Sequence, residues 1–326
     1  MPRLGVIELS QLPPFTVLES ISTEAIILAR MQQFALIWSQ NDPPNAAQYD
    51  VGGLEFDPIR INQECSTYFE LMLRDRVNQA ARAVTGAFAV GGNLDAIATR
   101  YPGGVPRLPG ESDLAYRTRI WLSPNTLSPN GIYESYIFYA FNAVPAGTLR
   151  DCQALATPGK ANVYITILAD GTPITANQRS GVYDGTFSVT PNPTPSNDII
   201  TEVYQYIRAP GMGRKGMTDV ISVSGPKIKL VDYKIRILLY PGWDEASTMQ
   251  GLYPALATLL ENQRYLGFSH TLAAIDAALK VSGVFNVLID SPTADVIIST
   301  DTVIVINSIS LTYGGRAGFG PLPPSS

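Results

Sequence analysis

Val231-Asp232-Tyr233-Lys234-Ile235-Arg236-Ile237-Leu238-Leu239 sets apolar residues at the odd positions against charged ones at 232, 234 and 236. A period of two is the signature of a strand with one buried and one wet face, so the chain cannot be all-helical. Downstream, Leu252, Leu256, Leu259 and Leu260 recur at helical spacing. A further helix is expected from Ser269 as N-cap to Gly283 just past its end, and 284–289 and 303–312 read as strands. Upstream, 163–169 is a compact β-branched and aromatic strand, 112–122, 132–142 and 199–207 read as helices, and 218–223 as extended. The mixture predicts an α+β chain, with small sheets covered by helices.

The N-terminal part has a different rhythm. Leu18, Ile21, Ala25, Leu28 and Met31 form the stripe of an amphipathic helix over 16–38, stopped by Asp42-Pro43-Pro44. A longer helix over 62–89 is expected to gather Ile61, Cys65, Tyr68, Phe69, Met72, Ala80, Val84 and Phe88 on one face, with Gly91-Gly92 ending it. Its opposite face holds Glu64, Glu70, Arg74, Asp75, Asn78, Gln79 and Arg82 and is expected to be solvated. Residues 101–110 carry three glycines and three prolines, which neither a helix nor a central strand tolerates. These breaks predict a helical arm over 1–100, a Gly/Pro hinge over 101–110 with Gly103 and Gly104 at its centre, a middle α+β domain over 111–230, a C-terminal α+β domain over 231–315 and a tail over 316–326. In the middle domain, 18 of the 29 residues of 170–198 are Gly, Pro, Ser, Thr or Asn. Such a stretch is either an ordered excursion with its own short hairpin or a flexible insertion.

Composition narrows the function. With 23 Lys and Arg against 28 Asp and Glu, the net charge of −5 is the wrong sign for a protein that neutralises phosphates, so no nucleic-acid partner is expected. Only 16% of residues are charged, and Arg outnumbers Lys, as suits surfaces buried against other proteins. The longest charge-free runs, 135–149 and 246–260, are too short and too polar to span a bilayer, and the N-terminus lacks the apolar core of a secretory signal. Synthesis in the cytoplasm is therefore expected.

Catalytic readings fare poorly. Cys65 and Cys152 are the only cysteines and are read as two buried thiols, and His270 is the sole histidine, expected just inside a helix start where the dipole favours its neutral form. Gly211-Met212-Gly213-Arg214-Lys215-Gly216 matches GxGxxG but follows a helix end instead of opening a helix, so a turn is the better reading than a nucleotide site. Glu55 with Asp57 and Glu111 with Asp113 could supply a two-carboxylate hydrolase, but both pairs stand beside helix starts, where capping explains them. No catalytic residue, cofactor or metal is assigned.

Several ordered blocks together resemble the baseplate J-like family of contractile phage tails and related injection machines. They include Ile7-Glu8-Leu9-Ser10-Gln11-Leu12-Pro13, Gly53-Leu54-Glu55-Phe56-Asp57-Pro58-Ile59, Leu73-Arg74-Asp75-Arg76-Val77-Asn78-Gln79-Ala80-Ala81-Arg82-Ala83-Val84, and Gly91-Gly92-Asn93-Leu94-Asp95-Ala96-Ile97-Ala98. Glu111-Ser112-Asp113, Tyr116 to Ile120, Leu239-Tyr240-Pro241-Gly242 and Leu279 to Val284 continue the series, and the long stretch 170–198 is the main departure. The resemblance implies a non-enzymatic wedge component of the virion's tail baseplate. It implies two copies per wedge beside a tail protein I-like partner, a small lysozyme-like sheath-initiating protein, neighbouring wedges in a ring, and a central hub and spike, with the ring relaying the trigger for sheath contraction. Arg74, Arg76, Asn78 and Arg82, on the best-matched helix, are the expected partner-contact residues. The competing reading is an enzyme or glycan binder of a tail tip that uses 170–198 as its recognition surface.

Overall fold

A computed structural model describes residues 22–47, 56–101, 104–128, 132–157, 159–189, 193–210, 212–216 and 218–316. They fall into two compact units, one ending at Pro106 and the other beginning at Arg107.

The first unit is helical: α1 (Thr23–Asn41), the single turn α2 (Pro43–Ala46), α3 (Pro58–Val84) and α4 (Gly92–Ala98). The Ser22 hydroxyl accepts from the Ala25 N–H and starts α1. The expected N-terminal extension of α1 to residue 16 lies outside the described residues. α3 begins four residues earlier than its apolar spacing predicts. Asp57 accepts from the Arg60 N–H, and Pro58 occupies the first turn, where its missing N–H costs nothing. Leu94, Ile97 and Ala98 of α4 are buried, as is Ala89.

The second unit is α+β. After α5 (Asp113–Leu122) and α6 (Tyr133–Ala143) come β1 (Leu149–Ala156), β2 (Asn162–Ala169), a hairpin of β3 (Thr175–Arg179) and β4 (Val182–Ser188), α7 (Asn197–Arg208) and β5 (Val220–Ser224). Then follow β6 (Lys227–Leu239), α8 (Glu245–Asn262), α9 (Leu272–Leu279), β7 (Val284–Ser291) and β8 (Thr302–Arg316). One sheet has the order β1-β2-β5, with β1 antiparallel and β5 parallel to β2; the other has the order β7-β6-β8, with β7 antiparallel and β8 parallel to β6. The alternation in β6 is realised: Tyr233, Ile235, Ile237 and Leu239 are buried against Leu252, Leu256 and Leu260 of α8 and Ile275 and Leu279 of α9. Truncating one of these to Ala would cost about 2–5 kcal/mol. Around the first sheet, Tyr136 and Ala140 of α6 and Val203 and Ile207 of α7 pack on Ile165 and Ile167.

The question left open for 170–198 is answered for its described part. Ser180 and Gly181 both take positive φ (53° and 82°), as the two-residue turns that match strand twist require. Gln250 of α8 accepts from the Tyr183 N–H (2.7 Å) and donates to the Tyr183 carbonyl (2.8 Å), and Phe187 meets the Tyr253 ring edge-on. The hairpin is ordered and its Ile174 flank enters the core.

Two networks of charge lie inside this unit. Arg119 donates from Nε and Nη2 to both oxygens of Glu111 (2.7 and 2.8 Å), which also accepts from the Leu108 N–H. Both residues are less than a tenth exposed. The capping reading of Glu111 is thereby corrected: Ser112 caps α5, which frees the preceding carboxylate to turn inward. The second network joins the two sheets. Arg150 donates to the backbone carbonyls of Arg264 and Glu261 and pairs with the Glu261 carboxylate at 2.7 Å. The buried Asp151 accepts from the Leu266 N–H, and Arg264 pairs with Asp170 and Glu261.

The helix expected from Ser269 starts at Leu272 and ends at Leu279. His270 and Val296 exchange backbone hydrogen bonds, which holds residue 270 extended, and the cap is Thr271. His270 therefore lies before the helix. It is 2% exposed, its Nδ1 bonded to the Tyr233 hydroxyl, and burial, opposed in part by the Gln263 backbone, pushes its pKa down to about 4.

Two outcomes follow. Glu111→Ala leaves a guanidinium buried without its carboxylate and should cost on the order of 3 kcal/mol, whereas Glu111→Leu with Arg119→Met should recover most of that in urea unfolding. For His270 the unfolded chain takes up a proton near pH 6.5 that the folded chain refuses until about pH 4. Stability therefore falls as pH drops through that window, by about 3 kcal/mol from this group. His270→Gln should flatten the slope of unfolding free energy against pH between 7 and 4.5; an unchanged slope would contradict it.

Candidate partner interface

The helical arm presents its chemistry inside out. α3 packs on α1 through its polar side: Thr67 is fully buried, Asn78 is 8% exposed, and Ile27 is the buried residue supplied by α1. Glu70 sits between two guanidinium groups. Arg30 of α1 donates to it from Nε and Nη2 (3.0 and 2.6 Å), and Arg74, one turn on, donates at 2.8 Å. Those hydrogen bonds from Arg30 and Arg74 hold the Glu70 carboxyl below the usual carboxylate range.

At 100° per residue the apolar stripe of α3 fans out from Tyr68 and Met72, about 160° around the helix from Glu70, to Phe69 and Leu73, about 100° and 60° from it. Tyr68, Phe69, Met72, Leu73 and Val84 are all more than half exposed, and Leu28 and Leu36 of α1 are as well. The expectation that the charged side of α3 is the solvated one is therefore reversed in part. Glu70 is tied to Arg30 of α1 and Asn78 is buried, while Arg74, Asp75, Gln79 and Arg82 are exposed. The reason is geometric. A two-helix arm covers one side of each helix, Arg30 of α1 reaches Glu70 on that side, and the apolar side chains are left on the uncovered sides. Cys65 is also corrected by this arrangement: it lies exposed on the outward face, while Cys152 is buried as expected.

The four expected contact residues part company. Asn78 is buried within the arm, Arg74 is tied to Glu70, and Arg76 and Arg82 are exposed. Arg76, one turn beyond Met72, stands in the middle of the apolar stripe. Of the two hinge glycines, Gly103 lies outside the described residues. Gly104 has φ +62°, and its N–H bonds the Tyr101 carbonyl at 2.9 Å. On the far side, Arg107 pairs with Asp113 at 2.7 Å and lies 4.5 Å over the Tyr116 ring.

The chemistry-bearing motifs resolve into structure. Asp57 caps α3, and Glu55 lies outside the described residues. In the glycine-rich stretch the Gly216 N–H donates to the Tyr136 hydroxyl, which itself donates to Asp219. Lys215 donates to the carbonyls of Gly216 and Asp219, and Arg214 donates to the Tyr206 carbonyl with its guanidinium 3.7 Å over the Tyr206 ring. Cations turned onto the chain's own carbonyls and rings cradle no phosphate. Among the described residues no cluster of His, Cys, Asp and Glu could hold a metal, and no helix is long and apolar enough to cross a membrane.

Comparison with known proteins gives one match on the arm and one over nearly the whole chain. Residues 55–109, which run from just before α3 through α4 to the start of the second unit, match the baseplate J-like N-terminal domain. The chain is also similar to Baseplate protein J of Escherichia phage P2, at 28% identity over 327 residues, covering 96% of this chain and 99% of that protein. A local match over α3 and α4, together with collinear similarity over nearly all of both chains, likens this protein to the baseplate J-like proteins of the phage tail baseplate.

Proposed function

We propose that this chain is the wedge protein of a contractile-tail baseplate and that it performs no catalysis. The observation that carries the reading is the arm's stripe of Phe69, Met72, Leu73 and Val77, which is exposed along the helix where the family match lies. Uncovered apolar surface of this extent marks a protein-binding face. Helices of a second copy and of a tail protein I-like partner would close it into a bundle, with Arg76 fixing register inside the stripe and Arg82 at its rim. Arg74 and Asn78 act from the other side, by holding α1 and α3 at the spacing that displays the stripe. Further contacts would be to a small lysozyme-like sheath-initiating protein, to neighbouring wedges and to the central hub and spike.

The contraction trigger would pass through 101–110. Gly104 takes a left-handed conformation that an L side chain adopts only with strain, and Arg107 anchors the far end of that stretch. Arm and body would then keep their folds while the angle between them changes.

The stripe is tested by Phe69→Glu with Leu73→Glu. Exposed positions tolerate charge, so the isolated chain should unfold within about 0.5 kcal/mol of wild type. Co-expressed with the other tail proteins of its cluster, the wild type should purify as a heteromer holding two copies per partner by light scattering. The double variant should elute alone, and its retention of every partner would sink the proposal. Replacing Gly103 and Gly104 with Ala should give particles that fail to assemble or to contract; wild-type infectivity would rule out the hinge.

A further inference from the structure

β6 and β8 run parallel and stop side by side, with Leu239 paired to Arg316. At that end of the sheet stand aromatic side chains that the core does not take in. Tyr240 and Trp243 lie in the turn that leads from β6 to α8, Phe285 is in β7, and Val281 is in the turn before it. The Tyr240 N–H donates to the Gly283 carbonyl (3.0 Å), and the Phe285 ring meets Tyr240 edge-on at 5.3 Å between centres. The Trp243 ring lies so close over Gly283 that a Cβ there would come within 2.6 Å of it. These contacts hold the cluster in place, yet its four side chains are each between 41% and 46% exposed. Half-exposed rings held together in this way form a docking surface.

The segment that follows β8 has the chemistry to cover it. The Arg316 guanidinium donates to the Trp243 carbonyl at 3.2 Å, so residues 317–326 start within one side-chain length of the cluster. They read Ala-Gly-Phe-Gly-Pro-Leu-Pro-Pro-Ser-Ser and hold no charged side chain. Pro321 and Pro324 are spaced so that one turn of a polyproline II helix puts both on the same side. Aromatic-lined grooves take up such segments because they are extended before they bind and lose little entropy on docking. In that conformation 317–326 would reach about 31 Å, whereas crossing from β8 past β6 to β7 takes only about 10 Å at ~4.8 Å between strands.

We propose that 317–326 crosses the end of this sheet from β8 toward β7 and seats Pro321 and Pro324 on Tyr240, Trp243 and Phe285 of the same chain. Gly318 and Gly320 give the backbone the freedom to make that turn. Attachment beside the cluster keeps the effective concentration of the segment high, so no partner is needed to fill the surface. The contact is independent of what covers the helical arm.

The test reads Trp243 in the full chain by fluorine NMR. Grown with fluorotryptophan, the protein gives one signal each for Trp38, Trp121 and Trp243, and Trp243→Phe assigns the last of them. A chain in which a Gly-Ser sequence of equal length replaces 317–326 should shift the Trp243 signal, and so should the full chain with Pro321→Ser and Pro324→Ser. The Trp38 and Trp121 signals should stay in place. Both changes lie past the last strand, and an unmoved Trp121 signal reports that the body is folded as before. A Trp243 signal that is the same in all three chains would overturn the proposal. So would a Trp243 signal of the wild type that shifts on dilution, since the segment would then be seated on a second copy.

Discussion

Arg150 leaves the first sheet and ends in the last turn of α8, where it donates to the Glu261 carbonyl, which the Arg264 N–H also bonds, along with the Arg264 carbonyl, and pairs with the Glu261 carboxylate. Next to it, Asp151 binds the Leu266 N–H. Glu261 also accepts from the Ile174 N–H at the root of the inserted hairpin. Two three-stranded sheets, each small for independent stability, are thus fixed to one helix end by a cluster in which each charge has an opposite charge or a backbone partner. Buried charges of this sort cost desolvation and repay it only when the geometry is met. They therefore specify how the sheets meet more than they stabilise either one.

The two units follow opposite rules. The body places apolar side chains inside: Tyr136, Tyr233, Ile165 and Ile237 are fully buried. On α3 the arm buries Thr67 and Asn78, keeps the Arg30–Glu70 pair half-buried, and leaves Tyr68, Phe69, Met72, Leu73 and Val84 in water.

The parts that could be read from sequence are those where local pattern and burial coincide. β6, α7, α8 and β2 were legible because their periodicity is a direct image of the face they bury. β1 was not, since Leu-Arg-Asp-Cys-Gln-Ala carries two charges at its start, and what makes Arg150 and Asp151 compatible with a strand is a helix end more than a hundred residues away. The role of Glu111 was hidden for a similar reason: its partner Arg119 lies eight residues on, and only the fold tells capping from pairing. For α3 the length and the two faces were plain, but which face looks outward was not. Amphipathicity says where the apolar side is and is silent on what covers it. For the four expected contact residues the sequence did not show exposure: Arg74, Arg76 and Arg82 are exposed and Asn78 is buried.

The polar seam of the arm also bears on when the arm becomes rigid. With Ile27 as the only buried apolar side chain of α1, the pair of helices gains little from the hydrophobic effect and relies on hydrogen bonds whose net worth in water is small. Its stability on its own is therefore low, and covering the stripe would supply what the seam lacks. Folding of the arm and burial of its stripe would then be one thermodynamic event, and an arm whose stripe is uncovered would be the softer one.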